Sequence, residues 1–158
     1  MRCLQSTADH AESIRTQEAL MKVEDAMAKT ISTARPDDSI KRVAQLMKQE
    51  DAGFMPITDG DRLVGVVTDR DIVIRCIAER DDLTGVRAQD CMSKSVSTVE
   101  ADADIEEAAS IMNENEIRRL AVTRSGKLVG VLSHGNLVQA TRSEGAGDKA
   151  TLGVTRGA

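Results

Sequence analysis

The chain has 158 residues, of which 41% are hydrophobic and 30% charged, with 21 Lys and Arg against 26 Asp and Glu. These proportions argue for a folded chain, and the net charge of -5 argues against nucleic-acid binding. With one Phe and no Trp or Tyr, the chain also lacks the aromatic platform on which single-strand binders stack bases. No apolar stretch approaches the roughly 20 residues of a membrane-spanning helix. The polar, acidic start is unlike a signal peptide, so we expect a cytoplasmic protein with no membrane partner.

The cysteines give no sign of a metal centre. Cys3, Cys76 and Cys91 are widely spaced without a CxxC pair, and an odd number of this kind fits reduced thiols in a reducing compartment. The two histidines, His10 and His134, do not stand at metal-ligand spacing with them. The sequence therefore predicts structural or incidental thiols rather than a metal or redox site.

An internal repeat organises the chain. Residues 23–73 align without a gap on residues 88–138, a shift of 65 positions, with 15 identities. Two repeats are too few for a solenoid, so we expect two homologous units packed face to face around a pseudo-twofold axis. We divide the chain into an N-terminal extension at 1–20, units at 21–80 and 86–141, and a flexible, glycine-rich tail at 144–158.

Each unit predicts elements in the order β, α, β, β, α. A short helix around VEDAM leads into a brief extended piece, ISTA or VSTV, and then into an amphipathic helix. Ser39 and Asp104 are the predicted N-caps, and Asp104 with Glu107 resembles a capping box. Two strands and a turn follow, before a closing helix that starts at Asp69 or His134. The apolar positions of the amphipathic helices are Ile40, Val43, Ala44 and Met47, and Ile105, Ala108, Ala109 and Met112. We expect an α/β (α+β) fold with two small sheets covered by helices.

The end of the first unit resembles a known family. The run from Gly65 to Ile72, GVVTDRDI, is similar to the glycine, apolar pair, Thr/Ser, two variable residues, Asp, apolar pattern that closes a CBS domain. The MPI of FMPIT is similar to that domain's middle strand. The resemblance covers residues 23–138, and TDRDIV resembles free-standing bacterial CBS-pair proteins. It implies a Bateman module of two CBS domains, with inter-repeat clefts that bind adenine nucleotides or, in some members, S-adenosylmethionine or NAD.

The resemblance also implies which residues bind the ligand. Asp71 would accept from both ribose hydroxyls, while Thr68, the free N–H groups of the helix start and Arg70 would face a phosphate. In the second unit Ser133 keeps the hydroxyl but Asn136 replaces the carboxylate, which should weaken its ribose contact. An alternative from local chemistry alone is that Thr68 or Asp69 merely caps the helix and that Asp71 lies in its first turn.

Phosphate and base contacts are expected from further residues. The resemblance implies that Arg118 or Arg119 reaches the phosphates from the partner repeat, in one cleft with Thr68 and Asp71, although paired arginines often only solvate a surface. The residues expected around the adenine, for which ordinary core packing is the alternative, are Ile31, Thr33, Ala52, Gly53 and Phe54.

The predicted function is regulatory binding. The sequence contains no nucleophile–base–acid grouping and no phosphate-cradling glycine loop, so we predict no enzyme, no catalytic residue and no obligatory cofactor. We expect an AMP-, ADP- or ATP-binding module that changes its own association or the activity of an unidentified partner protein. The alternatives are a structural or protein-interaction module with empty clefts, or a binder of S-adenosylmethionine or NAD. Uncovered apolar helix surface predicts a homodimer.

Overall fold

The computed structural model describes residues 21–144. The predicted extension at 1–20 and, beyond Glu144, the predicted tail lie outside the described residues, as does Cys3. The elements in chain order are α1 (Val23–Ala26), α2 (Ile40–Glu50), β1 (Phe54–Asp59), β2 (Arg62–Thr68), α3 (Asp69–Asp71) with a π-helix (Ile72–Ile77), α4 (Ala88–Cys91), β3 (Thr98–Glu100), α5 (Ile105–Glu114), β4 (Arg119–Arg124), β5 (Lys127–Ser133) and α6 (His134–Glu144). Within these residues, no helix is long and apolar enough to cross a membrane.

Helix α2 forms as its sequence predicts, with one difference. The Ser39 hydroxyl accepts a hydrogen bond from the Arg42 backbone N–H at 3.2 Å, which caps the first turn. The predicted apolar positions Ile40, Val43 and Met47 are buried. Ala44 is exposed, however, and Leu46 is buried in its place, so the apolar stripe lies to one side of the predicted one.

Helix α5 has Asp104 as its N-cap residue but lacks the predicted capping box. The Asp104 carboxylate makes no cap hydrogen bond and instead accepts from Lys22 Nζ at 2.7 Å. That hydrogen bond raises the pKa of Lys22 above its ordinary value. The capping prediction with Glu107 is therefore wrong, because a residue distant in sequence takes the carboxylate that a local pattern assigned to the helix start.

The strands form one sheet rather than the two predicted. Its order is β1-β2-β5-β4-β3, and each hairpin, β1–β2 and β4–β5, contains a bulge at the same repeat position. The hairpins join beside their turns, through the antiparallel pair Arg62–Lys127 and a hydrogen bond from the Leu128 N–H to the Asp61 carbonyl at 3.1 Å. The predicted first strand forms in the second unit, where β3 pairs in parallel with β4. In the first unit the equivalent extended piece is not a strand, because only Ala34 forms a bridge to β1.

The two repeats exchange their first helices. Helix α4 contributes Ala88 and Cys91 to the core of the first unit, and α1 contributes Val23 to the core of the second. The contacts are reciprocal: Met92 packs against Gly65 as Met27 packs against Gly130. Each pair is shifted by the 65 residues of the repeat, as a pseudo-twofold axis requires. Each unit is therefore completed by a segment of the other.

The prediction of reduced thiols is wrong for two of the three cysteines. Cys76, in the π-helix, and Cys91, at the end of α4, form a disulfide with Cα atoms 6.6 Å apart. The exchange of first helices brings α4 against the π-helix. A separation of 15 residues in the sequence does not by itself predict that the two cysteines are close. The cytoplasmic prediction loses the support that it took from free thiols.

Candidate functional site

The predicted ribose and phosphate residues of the first unit lie at the junction of β2 and α3. Asp71 Oδ2 accepts from the Thr68 backbone N–H at 2.9 Å and from Thr68 Oγ1 at 2.7 Å. The Thr68 hydroxyl in turn accepts from the Asp71 N–H at 3.1 Å. This reciprocal pair is a capping box, so the helix-cap interpretation of Thr68 is correct as a description of local structure. Arg70, one residue earlier than Asp71, is exposed.

The same box leaves part of the Asp71 carboxylate open. Oδ1 lies 3.4 Å from Arg75 Nε, and the Asp71 side chain is 15% exposed. A carboxylate oxygen can accept two hydrogen bonds, so Oδ1 keeps capacity for a ligand hydroxyl. Sequence reasoning missed Arg75, although its i,i+4 spacing from Asp71 was a usable signal.

Residues at the start of β1 and just before it lie against this junction. Phe54 pairs with Thr68 across the hairpin, and the Asp69 backbone N–H donates to the Gly53 carbonyl at 3.2 Å. A Cβ at Gly53 would collide with the Asp69 carboxylate, so any side chain here would require the exposed Asp69 side chain to move. The structure therefore brings Gly53, Phe54 and the half-buried Ala52 close to Thr68. We call Ala52, Gly53, Phe54, Thr68, Arg70 and Asp71 the first half-site.

The remaining predicted adenine-pocket residues are placed less favourably. The segment containing Ile31 and Thr33 runs alongside β1, held by the Ala34 N–H to the Pro56 carbonyl at 3.1 Å. Ile31 is half-buried. Thr33 is exposed and lines an open groove of about 960 Å³ together with Arg35, Arg42 and Gly60. Gly60 lies in the turn after β1, at the end away from Phe54, so Thr33 is not brought to the first half-site by these contacts.

The second unit repeats the junction with an amide in place of the carboxylate. Asn136 Oδ1 accepts from the Ser133 N–H at 3.1 Å and from the Ser133 hydroxyl, which itself accepts from the Asn136 N–H at 3.1 Å. Arg119 pairs with Ser133 across the hairpin, and the His134 N–H donates to the Arg118 carbonyl at 2.8 Å. We call Arg118, Arg119, Ser133 and Asn136 the second half-site. Where Asp71 offers an open carboxylate oxygen, the Asn136 side chain offers a ligand Nδ2, which is a donor.

The two half-sites lie apart along the sheet. Strands β2 and β5 are antiparallel and pair through their first residues, Arg62 and Lys127. Their last residues, Thr68 and Ser133, therefore lie on opposite sides of that pair. Among residues 21–144, no hydrogen bond or ion pair joins Arg118 or Arg119 to the first half-site. The structure thus brings the arginine pair to the second half-site, not to Asp71.

Metal ligands are not grouped in the described part of the chain. Residues 21–144 contain no cluster of three or more His, Cys, Asp or Glu side chains placed to hold a metal ion.

Both repeats, each with its capped Thr or Ser junction, match the same known domain. The CBS domain matches residues 23–77 and 88–143. The chain belongs to the CBS-domain family. It is 34% identical over 134 residues to the CBS domain-containing protein YhcV of Bacillus subtilis, covering 84% of this chain and 94% of YhcV. It is 33% identical over 116 residues to hypoxic response protein 1 of Mycobacterium tuberculosis, covering 73% of this chain and 81% of that protein.

Solved CBS proteins share this fold. A CBS-domain protein from Burkholderia ambifaria superimposes with a TM-score of 0.72 at 26% identity, covering 82% of this chain and all of that one. Hypoxic response protein 1, solved with two coordinated zinc ions, gives 0.70 at 31% identity, over 75% of this chain and 98% of that one. CBSX2, solved in complex with AMP, gives 0.68 at 28% identity, over 78% of this CBS pair and 97% of CBSX2.

An enzyme also matches, but over a small part of its length. The inosine-5'-monophosphate dehydrogenase of Korarchaeum cryptofilum is 30% identical over 123 residues, which is 77% of this chain and 25% of that enzyme. A match to one quarter of an enzyme does not carry its activity to this CBS pair.

Proposed function

We propose that this CBS pair is a regulatory module that binds adenine nucleotides and changes its own association or the activity of a partner. The observation that carries the proposal is the Asp71 carboxylate, held half-buried at the strand-to-helix junction with one oxygen open. The complex of the similar CBSX2 with AMP supports adenine nucleotides as the ligand class.

The first half-site suits the ribose of such a ligand. Asp71 Oδ1 can accept from a ribose hydroxyl, and a hydrogen bond to a charged acceptor is about twice as strong as a neutral one. Thr68 fixes the carboxylate through two hydrogen bonds, so little side-chain freedom is lost on binding. Gly53 leaves no side chain between β1 and this junction.

The second half-site suits the phosphates. Arg118 is exposed and Arg119 half-buried beside Ser133, and guanidinium groups bind phosphate oxygens bidentately. The position equivalent to Arg118 is Gly53 in the first unit, where the Asp69 carboxylate stands nearby. We infer that the second half-site binds the phosphates of its own ligand through this arginine pair, whereas the first half-site, which lacks the pair, relies on the ribose contact of Asp71.

A ligand panel tests the proposal. We expect ATP, ADP or AMP at 100 times its dissociation constant to stabilise the protein by about 2.7 kcal/mol, which raises the melting temperature by roughly 5 to 10 °C. Adenosine, S-adenosylmethionine and NAD complete the panel, and GTP at the same concentration controls for nonspecific phosphate binding. Melting temperatures unchanged by every adenine ligand would contradict nucleotide binding and favour an interaction module.

An interaction surface supports a second part of the proposal. The π-helix exposes Val73, Ile74 and Ile77 with relative accessibilities of 51%, 51% and 55%. Clustered apolar side chains at a surface mark a protein contact. We infer that this face joins two copies of the chain into a homodimer.

A further inference from the structure

The disulfide lies where it can act on the first half-site. Cys76 and Cys91 are 0% and 1% exposed, and the bond ties the end of the π-helix to α4. Residues 77–85, between the two, are all exposed. The bond thus fastens the π-helix, which directly follows Asp71, to a segment exchanged from the other repeat.

Arg75 connects this bond with the half-site. Its Nη1 donates to the Cys91 carbonyl at 3.0 Å and to Ser93 Oγ at 3.0 Å. Its Nε lies 3.4 Å from Asp71 Oδ1. One side chain therefore contacts both the disulfide-bonded segment and the carboxylate oxygen that remains open.

The second repeat provides an internal comparison without the bond. The positions equivalent to Cys76 and Cys91 are Thr141 and Ala26. The closing helix there, α6, is a regular α-helix, whereas the bonded helix is a π-helix from Ile72 to Ile77. Among the described residues, the π-helical turn occurs only in the repeat that contains the disulfide, and such turns are frequent at functional sites.

We propose that Cys76 and Cys91 form a reversible redox switch that sets the conformation of the first half-site. A cellular dithiol reduces the bond: its two sulfurs form a disulfide, and its two electrons and two protons leave Cys76 and Cys91 as thiols. The disulfide form of such a dithiol oxidises Cys76 and Cys91 again and so reverses the exchange. Because both sulfurs are buried, exchange requires local opening of the exposed 77–85 segment.

Reduction removes the link that holds the π-helix on α4. Arg75 then loses its fixed position against the Cys91 carbonyl, and the support of Asp71 Oδ1 weakens. A less preorganised carboxylate binds ribose less tightly, so the reduced protein has the lower nucleotide affinity. Coupling of this kind between two sites changes affinity by about fivefold or more.

The test uses the full chain with Cys3→Ala, which leaves Cys76 and Cys91 as the only cysteines. The protein is equilibrated with glutathione disulfide or with dithiothreitol, and free thiols are counted by alkylation and mass spectrometry. Melting temperature and hydrogen exchange at residues 68–77 are then compared, with residues 133–142 as the unbonded control. The matched variant adds Cys76→Thr and Cys91→Ala, the pair found in the second repeat.

We expect no free thiols after oxidation and two after reduction, with a melting temperature lower by about 10 °C. Exchange should rise at 68–77 but not at 133–142, and the matched variant should not respond to dithiothreitol. Two free thiols after oxidation, or identical melting and exchange in both states, would overturn the switch. If the matched variant does not fold, comparison of the oxidised and reduced Cys3→Ala protein still tests the switch.

A separate measurement of AMP affinity distinguishes failure of the redox switch from failure of the proposed nucleotide binding. AMP affinity is measured in both redox states, and a drop of about fivefold on reduction is expected. Absence of AMP binding in both states would count against the proposed function alone, because thiol count, melting and exchange do not depend on a ligand. Equal AMP affinity in both states would overturn the coupling to Asp71.

Discussion

At the scale of single residues, Asp71 and its equivalent Asn136 differ by a carboxylate oxygen in place of an amide nitrogen. Asp71→Asn gives the first junction the chemistry of the second, and we expect adenosine affinity to fall by about 2 kcal/mol, since a charged acceptor is lost. Asn136→Asp, the reciprocal change, should strengthen the ribose contact of the second junction. Isothermal titration calorimetry measures both, and equal affinity of Asp71→Asn and wild type would remove Asp71 from the site.

The arginine pair makes a prediction that depends on ligand charge. Replacing Arg118 and Arg119 with alanine should weaken ATP more than AMP and leave adenosine almost unchanged, because guanidinium recognises phosphate and not the nucleoside. Titration of wild type and variant with the three ligands tests this. An equal loss for adenosine would show that the pair does not recognise phosphate.

A double-variant comparison decides whether one cleft or two are present. If the half-sites bind separately, as their positions on opposite sides of the Arg62–Lys127 pair indicate, the effects of Asp71→Asn and of the arginine replacement fall on different sites and add. If instead the effects of the two changes on the binding of one ligand are strongly non-additive, Asp71 and the arginines share the single cleft predicted from the sequence.

At the scale of elements, close packing of the exchanged helices makes two glycines unequal. A Cβ on Gly65 would lie 2.7 Å from Met92 Sδ and 3.1 Å from the Ser93 carbonyl. A Cβ on Gly135, in α6, would meet only Ser133 Oγ at 3.6 Å, an ordinary contact. We expect Gly65→Ala to destabilise the fold by about 1 to 3 kcal/mol and Gly135→Ala to stabilise it by up to about 1 kcal/mol. Urea unfolding measures both, and a neutral Gly65→Ala would contradict the tight α4–β2 contact.

Elements were predictable where local chemistry decides them. The cap at Ser39, the strands around Pro56 and Ala121 and the helix starts at Asp69 and His134 follow from patterns within a few residues. The family match confirms the CBS pair that the repeat and its closing motif indicated.

Features that depend on the exchange between repeats were not predictable in this way. Lys22 donates a hydrogen bond to the Asp104 carboxylate, which therefore does not cap its own helix. Cys91 lies in the second repeat but forms a disulfide with Cys76 of the first. The position of Arg118 and Arg119 relative to the first half-site likewise follows from how the two hairpins join at Arg62–Lys127. A repeat alignment shows which residues are equivalent, but not which unit each segment packs into.

At the scale of the whole molecule, the exposed face of the π-helix predicts a dimer. Val73, Ile74 and Ile77 project from the π-helix, which contains Cys76 and directly follows Asp71, so association would cover the helix next to the proposed ligand and redox residues. Light scattering at micromolar concentration should give about twice the chain mass of 17.0 kDa.

Ile74→Glu places a charge in the proposed interface, where burying it unpaired is costly, and should give a monomer of the chain mass. The fold should be kept, because the Ile74 side chain is half exposed in the single chain. Gln49→Glu, an equal charge change on an exposed position of α2, is the matched control and should remain a dimer. A monomeric wild type, or a dimer that survives Ile74→Glu, would show that the π-helix face does not join two copies.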